Sequence, residues 1–259
     1  MSSPYILEET DGFAVVYKPP KMHTALNQKK NRSLSIKSDN AALTLHEWFA
    51  EKSSRVFDVM HRLDYETNGL VLFAKNEKSY NFFKAAQHRG EFIKEYSAVC
   101  SFTQSRETPS DFAYKDIISR RGFPPCPLTK DLKHLHRLNI ESYFRPYGPG
   151  RKLVRPVIDD KINGKETAKD RGGRYITEIT SIKNNVFTVR IKRGFRHQIR
   201  CHLCWIGFPI INDPLYSHQT SCGESSELAL RSHALFFPDP CAEKQCEYRI
   251  SGLDEITHV

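Results

Sequence analysis

No uninterrupted apolar run in this 259-residue chain approaches the roughly 18 to 20 residues needed to cross a bilayer as a helix. Gly69-Leu70-Val71-Leu72-Phe73-Ala74 is only strand-sized. The opening Met1-Ser2-Ser3-Pro4-Tyr5 lacks a basic patch followed by an apolar stretch, so no secretory signal is expected. There is no internal repeat and no low-complexity tract, which sets aside repeat architectures. The seven cysteines are odd in number and form no regular secreted framework, which disfavours a disulfide scaffold and suits a reduced, cytoplasmic setting. Acidic residues are in deficit, 30 against 39 Lys and Arg, for a net charge of +9.

What is present is ordinary globular material: 39% hydrophobic and 27% charged residues, enough for a sizeable core. The positive charge is concentrated. Between Arg120 and Arg174 there are 14 Lys and Arg against 6 Asp and Glu, a surface suited to a polyanion such as RNA.

Phe13 to Tyr17 reads as a strand ended by Lys18-Pro19-Pro20, and Thr44 opens a helix. Val56–Met60 and Leu70–Ala74 read as strands on either side of a polar stretch, His61 to Gly69. A helix follows, capped by Asn76, with Tyr80, Phe83 and Ala86 on its apolar face and Gly90 at its end. Residues 101–172 read as a basic, loop-rich insertion with no core of its own. Phe187 to Lys192 alternates as a half-exposed strand, His197 to Ile206 has helical spacing, and Leu228 to Phe237 reads as a late strand.

His61-Arg62-Leu63-Asp64-Tyr65-Glu66-Thr67-Asn68-Gly69 interrupts an otherwise buried sheet region with polar groups. Such loops often carry function on a rigid frame. This stretch, continued by Gly69-Leu70 and Ala74-Lys75, resembles the signature of the RluA-type RNA pseudouridine synthases, with Asn68 where serine is usual. Lys18-Pro19, Lys94-Glu95-Tyr96, Gly194 to Arg200, Asp213-Pro214-Leu215-Tyr216 and Leu228 to Pro240 resemble further elements of that family, in order. Phe195 replaces the family's first arginine, Arg196 stands one place later, and Asp239 replaces the closing histidine.

The resemblance implies an α+β fold: a largely antiparallel mixed sheet, flanking helices and a central RNA-binding cleft, in one catalytic domain over 1–259. With the Lys18-Pro19 element so near Met1, no separate RNA-binding domain is expected before it. The implied activity is isomerisation of uridine to pseudouridine in ribosomal or transfer RNA, without a cofactor, by a monomer needing neither a membrane nor a protein partner. The catalytic set is Asp64, Tyr96 and Arg200. Asp64 is the essential carboxylate, and its route stays open: attack on the sugar, attack on the ring, or action as a base. Arg200 is expected to pair with Asp64 and keep it ionised, and Tyr96 to stack on the target base. Arg62, which fills the place of the flipped base, His61, Lys94 and Arg196 make up the RNA-binding set, His61 chiefly by holding the loop through hydrogen bonds.

Three rival readings share these residues. Cys201-His202-Leu203-Cys204 with His197 opens a zinc site that Cys222, Cys241 or Cys246 would complete, although no second C-x-x-C exists. An RNA-binding protein of the same fold without catalysis is the second, and a glycosidic hydrolase the third.

Overall fold

A computed structural model describes residues 3–25, 43–101, 122–125, 137–158, 161–162, 165–166, 173–217 and 227–253. The chain forms two compact units, Met1–Lys94 with Arg231–Ile250, and Glu95–Leu230 with Ser251–Val259.

The first unit is built on β1 (Tyr5–Glu9), β2 (Phe13–Lys18), β3 (Asp58–Val59), β4 (Asn68–Ala74), β12 (Leu230–Pro238, of which Leu230 belongs to the second unit) and β13 (Gln245–Arg249), with α1 (Leu45–Lys52) and α2 (Glu77–Arg89). In it β1 pairs β2, β2 pairs β4, β3 pairs β4 and β13 pairs β12, all antiparallel, while β12 runs parallel to β4. Every residue of β4 is buried, which explains its unbroken apolar reading in place of alternation. One face of the sheet joins Phe13, Leu70, Leu72, Leu235 and Phe237 to Phe83 of α2 and to Phe92. On the other face Phe49 of α1 packs on Phe73, ring centroids 4.8 Å apart. The expected strand over Val56–Met60 contracts to two residues.

Both helices of this unit begin where their caps dictate. Thr44 and Glu47 form a reciprocal capping box. Asn76 accepts the Ser79 N–H at 2.8 Å, and Gly90 closes α2 in the left-handed conformation.

The second unit contains β5 (Ile93–Val99, of which Ile93 and Lys94 belong to the first unit), β6 (Leu138–Tyr147), β7 (Leu153–Val157), β10 (Tyr175–Lys183) and β11 (Val186–Ile191) in the order β5-β11-β10-β6-β7, with α3 (Gln198–Trp205). A short ladder, β8 (Lys161–Ile162) with β9 (Lys165–Glu166), stands apart. The loop-rich expectation for 101–172 gives way at 138–157, where β6 and β7 form a regular antiparallel hairpin extending the sheet. Arg120, Arg121, residues 126–136 and the side chains of 159–172, all part of the expected basic surface, lie outside the described residues, as does Cys222. The mixed sheet with few helices is the α+β architecture expected.

Candidate active site

In the first unit the polar stretch leaves β3 and re-enters the sheet at β4 through a tight turn in which Asp64 C=O accepts the Thr67 N–H at 3.1 Å. Two residues hold this turn, Thr24 in the segment after β2 and Lys18 at the end of that strand. The Thr24 hydroxyl donates to Leu63 C=O and accepts the Leu63 N–H, both at 3.1 Å. The Lys18 ammonium, fully buried, donates to Pro19 C=O at 2.9 Å, Met22 C=O at 2.8 Å and Tyr65 C=O at 3.3 Å. Three carbonyls match the three donors of a charged lysine. Burial pulls the Lys18 pKa down to about 7, against the opposing pull of the Asp64 and Glu66 carboxylates. Asp64, half-buried, therefore has a buried cation as neighbour within its own unit. Lys18 was legible in the sequence only as part of the Lys18-Pro19 element, with no role attached.

His61 Nε2 accepts the Leu72 N–H at 3.2 Å and its ring meets Phe92 edge-on at 5.3 Å. Burial, reinforced by Lys94, keeps the imidazole well below its usual pKa and neutral. Holding the loop is thus what its hydrogen bond does. Arg62 is exposed on the turn. Lys94, placed by the sequence among the RNA contacts, is buried with its ammonium 4.9 Å from the centre of the Phe92 ring, and burial lowers its pKa to about 8.

At the end of the turn, Asn68 Oδ1 accepts from Arg231 Nε at 2.8 Å, an acceptor that the smaller serine would present differently. Gly69 has φ +124°, and a Cβ there would lie 2.2 Å from the Ser232 carbonyl oxygen. Only glycine permits the close approach of β4 to β12.

In the second unit Tyr96 is buried on β5, beside Glu95, which pairs with Arg190 at 2.6 Å. Arg200, on α3, is fully buried and gives two parallel hydrogen bonds to Asp213, Nε to Oδ2 at 2.8 Å and Nη2 to Oδ1 at 2.7 Å. Asp213 Oδ1 also accepts the backbone N–H of Leu215 at 2.8 Å and of Tyr216 at 3.0 Å. The Asp213-Pro214-Leu215-Tyr216 element, without a role in the sequence, is thus the clamp on the candidate arginine. Asp64 belongs to the first unit and Arg200 to the second.

The Tyr216 ring lies 5.5 Å from the Arg200 guanidinium. Its hydroxyl accepts the Val154 N–H at 2.9 Å and donates to Val154 C=O at 3.1 Å, tying β7 to the segment after α3, and burial pushes its pKa up. His197 precedes α3 in the left-handed conformation, φ 57°, with Nδ1 3.3 Å from the Tyr216 hydroxyl. Phe195, in place of arginine, stacks on Phe144 of β6 with centroids 5.2 Å apart. Arg196 donates to the carbonyls of Arg151 and Leu153 at the hairpin tip. The Phe195-Arg196 exchange therefore docks the hairpin on the loop before α3.

Of the cysteines in the rival metal reading, Cys246 Sγ lies 3.7 Å from Asp239 Oδ2. Cys201 Sγ lies 3.6 Å from Val154 C=O, and among the described residues no three His, Cys, Asp or Glu side chains converge as metal ligands. Among the same residues no helix is long and apolar enough to cross a membrane.

Residues 12–205, well over half of the chain, match the family model for RNA pseudouridylate synthase. The chain belongs to that family. It is similar to an uncharacterized protein of Caenorhabditis elegans, 28% identical over 222 residues that make up 82% of this chain and 38% of that protein. It is also similar to the ribosomal large subunit pseudouridine synthase C of Rickettsia prowazekii, 25% identical over 248 residues, 93% of this chain and 65% of that protein. Both relatives are thus matched over less than two thirds of their own length. In fold it resembles the human RNA pseudouridylate synthase domain containing 1 structure, with a TM-score of 0.58 at 15% identity, covering 98% of this chain and 93% of that one.

Proposed function

We propose that this chain converts specific uridines to pseudouridine in structured RNA, ribosomal or transfer RNA, as a cytoplasmic monomer without a cofactor or protein partner. The reaction breaks the bond from N1 of uracil to the ribose anomeric carbon and joins that carbon to C5. The C5 proton leaves and N1 gains one, so nothing is added or removed. Asp64 supplies the carboxylate that this chemistry requires, at the sugar, at the ring or as a base. The base is extruded from its helix or loop to reach it, with Arg62 filling the gap, and Tyr96 stacks on the extruded ring. Arg200 provides a guanidinium toward that chemistry, pre-oriented by Asp213.

The observation that carries this reading is the turn itself. Asp64 sits half-buried beside a buried lysine, on a loop anchored at Leu63 and Tyr65. Such anchoring is the preorganisation that a catalytic carboxylate needs. The test is to incubate the protein with cellular RNA and map pseudouridine by carbodiimide-dependent primer-extension stops. Wild type is expected to add stops and Asp64→Asn none. Identical patterns from the two proteins would count against the assignment.

A further inference from the structure

In the β6–β7 hairpin, residues directly opposed across the ladder share a face. Phe144 and Pro156 are opposed and both buried, as is Val154, so their face is the inner one. Tyr143, Arg145 and Tyr147 of β6, facing Val157, Arg155 and Leu153 of β7, make the outer face. Tyr143 is half-buried and Arg145 exposed, while Tyr147, also half-buried, has its hydroxyl buried. Arg174 lies over the Tyr143 ring at 5.7 Å and Arg155 over the Tyr147 ring at 5.8 Å. Cations and aromatic planes thus alternate along one strand.

Two features of this face call for an anion. Arg145 and Arg155 are directly opposed, an arrangement of like charges that destabilises a ladder unless something neutralises it. Residues 137–158 carry five Lys and Arg against the single acid Glu141, which already sits 3.9 Å from Arg174. Among the described residues Arg145 has no acidic partner. The edge is also closed to strand addition by a peptide, because Pro156 removes a ladder donor from β7 and Pro146 one from the outer half of β6. The rings specify the kind of anion. Base faces are available for stacking in unpaired RNA and hidden in a duplex.

We propose that the outer face of the β6–β7 hairpin is a second RNA-binding site, for unpaired nucleotides one of whose bases stacks on Tyr143 while their phosphates meet Arg145, Arg155 and Arg174. It rests on the reading of the chain as an enzyme of RNA and adds a site separate from the Asp64 turn. It selects substrates by the single-stranded segment they carry, and it gives the basic character of this part of the sequence a specific address.

The test is fluorescence anisotropy of the full chain with a short labelled oligouridine and with an RNA duplex of the same length. Tyr143→Ala is expected to weaken oligouridine binding roughly tenfold, the loss of one stacked base. Tyr143→Phe keeps the ring and binds within about twofold of wild type, which separates stacking from folding damage. Arg145→Glu lowers the salt dependence of binding by about one unit of log–log slope. Equal affinity of wild type and Tyr143→Ala, or a preference for duplex, overturns the proposal. Stops made by wild type together with unaffected binding in the hairpin variants reject this site and leave the Asp64 reading standing. Ring-dependent binding without any pseudouridine formed rejects the enzyme and leaves the site.

Discussion

Replacing Asp213 tests the clamp on Arg200 most directly. Both side chains are buried, and their two parallel hydrogen bonds are the visible compensation for a guanidinium out of water. Asp213→Ala removes that compensation, at about 3–5 kcal/mol for breaking one side of a buried pair. The N–H groups of Leu215 and Tyr216 lose their acceptor as well, adding about 1 kcal/mol between them, since water partly replaces it. The total, about 4–6 kcal/mol, is a large share of the 5–15 kcal/mol typical of a folded domain. At roughly 2–4 °C per kcal/mol for a chain of this size, Tm falls by about 10–20 °C. Scanning calorimetry measures this, and where two transitions resolve, the one that moves is that of the second unit. Asp213→Asn, which keeps an acceptor for the two N–H groups, falls by less. Arg200→Met with Asp213→Leu recovers most of the loss while removing the guanidinium. A Tm for Asp213→Ala within about 2 °C of wild type would refute the claim that this pair compensates a buried charge.

Further expectations concern stability. With Lys18 lowered to about 7 when folded, the unfolded chain binds more protons between about pH 7 and 10.5, so the wild-type stability advantage over Lys18→Met rises with pH across that window. A difference curve from urea titrations that stays flat there contradicts the burial of this charge. His202, held between Ser142 at 2.9 Å and Thr177 at 2.8 Å, is lowered to about 3 by burial. Its contribution is present above about pH 6.5 and is lost as pH falls toward 3, so wild type loses more stability in acid than His202→Gln does. Equal acid sensitivity in the two proteins refutes it. Gly69→Ala puts a Cβ 2.2 Å from the Ser232 carbonyl oxygen at a φ of +124° and should cost at least about 3 kcal/mol, read as a lower urea midpoint. An unchanged midpoint means β4 and β12 do not approach as described.

The legible parts of the fold were those decided within a few residues. Thr44 with Glu47, and Asn76 with Ser79 and Gly90, cap their helices through bonds three or four residues long. The apolar run of β4 shows as a strand because nothing polar is tolerated on either face. The hairpin at 138–157 was missed because Pro146, Gly148, Pro149, Gly150 and Pro156 break its pattern with turn signals. Its regularity comes from pairing with β10 and from packing against Phe195.

The site divides the same way. From the sequence came Asp64 as a candidate, with Arg62, Tyr96 and Arg200, because the motifs that carry them are contiguous stretches. The tertiary structure decided what holds them: Lys18 reaching Tyr65 across 47 residues, Thr24 reaching Leu63 across 39, and Asp213 meeting Arg200 where the chain doubles back after α3. The physical reason is range. Caps and periodicity act through neighbouring peptide units, while a buried charge takes whichever partner the packed chain brings within about 3 Å.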